Sequence, residues 1–89
     1  MMRIELADPR GLIRESYRIE GIGPSECRSI FLDWALGLPE TVDTSRALRR
    51  LLAEYGPGAA DHPMTAVLRA GLAEEPAARR RGGPRGRRS

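Results

Sequence analysis

The chain of 89 residues contains no lysine, one cysteine, one histidine and only four aromatic residues: Trp34, Phe31, Tyr17 and Tyr55. Each scarcity closes off a class of protein. With Cys27 alone, no internal disulfide forms, and zinc sites of the four-cysteine or two-cysteine, two-histidine type lack their ligands. No stretch approaches the ~18 consecutive apolar residues of a membrane span. No apolar segment of the kind found in a secretory leader follows Met1-Met2-Arg3. A cytoplasmic location without membrane contact is the expectation. All 15 basic residues are arginine, which together with much Ala, Gly and Pro suggests a GC-rich coding sequence.

Charge is unevenly distributed. Residues 1–76 carry nine arginines and all 12 acidic residues, a net −3, whereas residues 77–89 carry six arginines and no acid, a net +6. The chain divides on this basis into one small globular domain, residues 1–75, and an arginine- and glycine-rich tail, residues 76–89. The tail is expected to be disordered, because like charges repel and Gly and Pro oppose helix.

The fold class expected from the apolar pattern is α+β: an N-terminal β-hairpin packed on a central helix, with two further helices. Ile4 and Leu6 alternate with Arg3, Glu5 and Ala7 as in a strand. Asp8-Pro9-Arg10-Gly11 has turn chemistry, and Ile13, Tyr17 and Ile19 fall on one face of a second strand. The competing reading makes the domain all-α with four helices. Asp8 is then a helix N-cap, Pro9 the first helical residue and Gly21 the stop.

The later pattern is helical. Gly23-Pro24 opens a helix in which Cys27, Ile30, Phe31, Trp34, Ala35 and Leu38 share one face, while Leu32 and Leu36 lie nearly opposite. A helix apolar on two sides is usually packed on two sides, so this one is expected to be central. Leu48, Leu51, Leu52 and Tyr55 form the stripe of a second helix at about residues 45–55, with Arg50 placed to pair with Glu54. Asp61-His62-Pro63 starts a third, capped by Asp61 or His62, with Met64, Val67, Leu68 and Leu72 inward. Gly71 on that face would let another backbone approach closely, at about 1 kcal/mol of helix propensity. The expected core is Ile4, Leu6, Tyr17, Ile19, Ile30, Phe31, Trp34, Leu48, Leu51, Leu52, Val67 and Leu68.

Little of this carries chemistry. Cys27, in the first turn of the central helix, is the one conceivable nucleophile, with His62 as base and Asp61 as orienter. Its phase with Ile30, Phe31 and Trp34 instead reads as a small buried hydrophobe. Asp61 and His62 are adjacent and converge poorly on one ion. Gly21-Ile22-Gly23-Pro24 lacks the spacing of a phosphate loop, and Pro24 removes a donor. No catalytic, cofactor-binding or metal-binding residue is assigned, and no cofactor is expected.

Two non-enzymatic readings follow. The first is an interaction or regulatory module, an accessory subunit or a homo-oligomer, with Leu32 and Leu36 as the surface for a protein partner or a second copy. The second concerns the tail. Arg79 to Arg88, with Arg-Gly-Gly at 81–83 and Arg-Gly at 85–86, resembles arginine–glycine-rich segments. The resemblance implies sequence-tolerant contact with nucleic-acid phosphates through Arg79, Arg80, Arg81, Arg85, Arg87 and Arg88. The planar guanidinium donates two hydrogen bonds at once to such a phosphate.

Overall fold

The computed structural model describes the backbone of residues 2–81 and the side chains of residues 2–74. It contains α1 (Ile4–Ala7), α2 (Leu12–Ser16), α3 (Pro24–Gly37), α4 (Thr44–Tyr55) and α5 (Pro63–Arg81), and no strand among the described residues. The expected α+β class with its N-terminal hairpin is therefore overturned. Both segments assigned to strands are short helices.

The physical reason lies in Asp8. Its buried carboxylate accepts the backbone N–H groups of Ile13 at 3.2 Å and Arg14 at 3.0 Å, satisfying two of the donors that open α2. The Tyr55 hydroxyl donates to the same carboxylate from α4 at 3.2 Å. Gly11 supplies the left-handed backbone, φ +69°, that turns the chain from α1 into α2. The helical alternative also placed a cap at Asp8, but started the helix at Pro9; α2 begins three residues later, with Gly11 at the N-cap position.

The apparent alternation of Ile4 and Leu6 conceals a helical period carried by small residues. Ala7 is fully buried one turn after Ile4, and Ser16 is fully buried one turn after Ile13. The Ser16 hydroxyl donates to the Ile13 carbonyl at 2.6 Å, so its burial leaves no unmet donor. Leu6 and Ile19, both expected in the core, are 53% and 48% exposed.

The later helices begin as their sequences require. Pro24 is the first residue of α3, and Glu26 accepts the Gly23 N–H at 2.8 Å. Asp43 caps α4 by accepting from Ser45 N–H at 2.9 Å and Arg46 N–H at 3.4 Å. At α5 the cap is His62, whose Nδ1 accepts the Met64 N–H at 3.0 Å.

Helix α3 packs between α2 and α5, and α4 packs on α5 and α1. The buried core comprises Ala7, Ile13, Cys27, Trp34, Ala47, Leu48, Leu51, Met64 and Leu68. Ile4, Tyr17, Ile30, Phe31, Leu52 and Val67 pack partly buried against it. Trp34 fastens α3 to the N-terminal segment, donating from Nε1 to the Ala7 carbonyl at 2.7 Å. Helix α5 runs on through Pro76 to Arg81, and residues 82–89, most of the expected tail, lie outside the described residues.

Candidate functional site

The nucleophile considered from sequence is removed from solvent. Cys27 is fully buried in the core, and burial pushes its thiol up from the ordinary range, favouring the neutral form. His62, its prospective base, is occupied elsewhere. Its Nδ1 caps α5, and its ring lies against Tyr17 with centroids 4.5 Å apart. Among the described residues, no group of three or more His, Cys, Asp or Glu side chains is placed to hold a metal ion. Among the same residues, no helix is long and apolar enough to cross a membrane.

The His62 region forms a polar joint. The Tyr17 hydroxyl and Thr65 Oγ1 are 2.7 Å apart, and Thr65 Oγ1 donates its hydrogen bond to the Ala59 carbonyl at 2.8 Å, so Tyr17 donates to Thr65. Tyr17 and Tyr55 are ring neighbours with centroids at 5.5 Å, and Tyr55 reaches Asp8. Burial, then the neighbouring Asp8 carboxylate, pushes the Tyr55 phenol up to about 12. The Tyr17 phenol is also raised, first by burial. An open concavity lies over this joint, lined by Glu54, Tyr55, Asp61 and His62 among others. The Tyr17, Thr65 and Tyr55 hydroxyls there are engaged in contacts between segments of the chain, and His62 Nδ1 in capping α5.

The other concavity has the opposite character. It is a groove of about 360 Å³ between α3 and α5, with Phe31 and Leu32 on one wall and Val67, Ala70 and Gly71 on the other. Gly71 shapes it. A Cβ there would lie 2.7 Å from the Phe31 ring, inside van der Waals contact, so only glycine admits the ring at this depth. The close approach expected at Gly71 is made by an aromatic side chain and not by another backbone. Phe31 is braced from behind by Trp34, centroids 5.6 Å apart.

Leu32 is 59% exposed and Leu36 is 84% exposed. Among the described residues, helix α3 is therefore not covered on the side they occupy, contrary to the expectation that two apolar faces are packed internally. The structure adds to these two leucines the small-residue wall of α5, which no sequence feature linked to them. Gly71 was the one available signal.

Arg28 stands at the groove on α3 and Glu74 on α5, and neither forms an ion pair among the described residues. The arginines of α4 differ. Arg50 pairs with Glu54 at 2.8 Å and donates from Nε to the Met2 carbonyl at 2.7 Å, so it is a structural tie.

Of the tail residues considered for nucleic acid, Arg79, Arg80 and Arg81 end α5, where only the backbone is described, and Arg85, Arg87 and Arg88 lie outside the described residues. Comparison with protein-family models, with curated proteins and with solved structures finds no match to this chain.

Proposed function

We propose that this chain is a small non-enzymatic interaction module that docks a protein partner in the groove between α3 and α5. The observation carrying the reading is the pairing of exposed Leu32 with an apolar groove whose depth depends on Gly71; exposed Leu36 follows one turn further along α3, outside the groove lining. A domain of this size has little apolar surface to spare, because it buries only ~60% of what its unfolded chain exposes. A contiguous apolar groove left outside such a core is the usual mark of an association surface, whereas single exposed side chains such as Leu6 and Ile19 are not. The burial of Cys27 supports a role that does not depend on its thiol.

The reading is tested by introducing a photoreactive amino acid at Leu32 in cells, with Arg49, exposed on α4, as the control position. Protein adducts are expected from position 32 and not from position 49. Ala70→Arg, which fills the groove with a charged helix-forming side chain at an exposed site, should suppress them. Equal adduct patterns at both positions, unaffected by A70R, would refute the docking role.

A further inference from the structure

We infer that the arginine-rich end of this chain, from Arg79 onward, binds double-stranded nucleic acid through its phosphates. This binding is separate from the groove and rests on where positive charge is gathered without acid.

In the described domain, positive charge is neutralised or dispersed. Arg3, Arg14, Arg18 and Arg50 are each paired with a carboxylate. Arg10, Arg28 and Arg69 stand on different parts of the chain, in the turn between α1 and α2, on α3 and on α5. Arg46 and Arg49 are exposed neighbours on α4. Residues 1–76 together are net −3.

The order reverses along α5. Leu72 still packs against the core, and Arg79 follows about two turns, or ~10 Å, further along the helix. Helix α5 ends in Arg79-Arg80-Arg81, and Arg85, Arg87 and Arg88 follow in sequence, with no acidic residue from 77 to 89. Arginine in a last turn also complements the helix dipole. That role accounts for Arg79 to Arg81 and not for the arginines after them.

Charge density selects the ligand. Residues 77–89 carry +6, on a chain that reaches at most about 45 Å. Duplex DNA of that length presents on the order of 25 phosphates under a condensed layer of counterions, whose release drives the binding of clustered arginines. Scattered carboxylates on a protein surface hold no such layer. A lipid surface fits less well, because residues 79–89 are all Arg, Gly, Pro or Ser, and none inserts among acyl chains. Residues 77–89 also lack an aromatic side chain to stack on bases, so the contact is to the backbone and blind to sequence.

The test is fluorescence anisotropy of a short labelled DNA duplex titrated with the full chain over a range of salt concentration. The slope of log affinity against log salt is expected between about −3 and −5, the steeper limit corresponding to a contact from every arginine of residues 77–89. Duplexes of unrelated sequence should bind within roughly threefold of one another. Two charge-matched variants locate the contact. Arg85→Gln combined with Arg87→Gln should flatten the slope by about 2. Arg46→Gln combined with Arg49→Gln removes the same charge from exposed sites on α4 and should leave the slope as it was. Circular dichroism of both variants should match the wild type. A slope unchanged by the Arg85 and Arg87 substitutions, or flattened equally by both pairs, overturns the inference. Absence of binding at low salt also overturns it. Binding to vesicles of phosphatidylserine and phosphatidylcholine in preference to the duplex does so too, and assigns the arginines to a lipid surface.

Discussion

The two sides of α5 are completed by different chemistry. Towards Tyr17 and Tyr55, the polar groups meet inside the chain: Tyr17 on Thr65, Thr65 on Ala59, Tyr55 on Asp8, and His62 on the start of its own helix. Towards Phe31, the surface is apolar and ends in exposed Leu32, with Arg28 and Glu74 beside it. A concavity over satisfied polar groups is a by-product of joining three helices. One over unsatisfied apolar surface has free energy to gain from a partner. The larger concavity is the polar one, so size and apolar character select different faces.

The comparison breaks most visibly at Asp8. Asp8→Ala leaves two N–H groups of α2 and the Tyr55 hydroxyl without their acceptor. The expected loss is about 2–3 kcal/mol, which in a domain of this size lowers the melting temperature by roughly 10 °C or more. Thermal unfolding monitored by circular dichroism measures it. A loss below about 0.5 kcal/mol, the range of an ordinary surface change, would mean that the joint is not structural.

A graded version of the same test uses pH. The Tyr55 phenol titrates near 10 in the unfolded chain and is pushed up to about 12 in the folded one. The folded state therefore holds the proton more tightly. The associated stability is fully present below about pH 10 and is lost as pH rises through about 12. The raised Tyr17 phenol contributes in the same direction. Tyrosine absorbance followed against pH should show delayed ionisation, coincident with alkaline unfolding. Tyr55→Phe should remove part of the delay; an unchanged titration curve would assign it elsewhere.

The smallest effect on stability belongs to the other face. Leu36→Ser, at a site 84% exposed, should change the stability of the isolated domain by no more than about 0.5 kcal/mol. Measured by urea unfolding, a larger loss would show that Leu36 serves the fold. The contrast between a joint that serves stability and exposed leucines that do not would then fail.

How legible each region was depends on residue size. The starts of α3 and α5 were visible because Pro24 and Pro63 suit the first helical position and glycine or a capping residue precedes them. The α4 stripe was visible because Leu48, Leu51 and Leu52 are large and regularly spaced. Residues 3–20 were misread because the period was carried by Ala7 and Ser16, whose small side chains register weakly in any apolar pattern. Leu6 and Ile19 register strongly there and lie outside the core.

The sequence by itself determined the excluded chemistries, the segregation of charge between residues 1–76 and 77–89, and the three later helices. It also determined that α3 carries more apolar surface than one face needs. Only tertiary structure decided which of that surface is covered. Phe31 and Leu32 are neighbours about 100° apart on one helix, comparable as hydrophobes in the chain. Phe31 is taken inward because Gly71, distant in sequence, lacks the Cβ that would block its ring, whereas among the described residues no helix reaches over Leu32. Burial is a property of what arrives from elsewhere in the chain. A local pattern cannot report it.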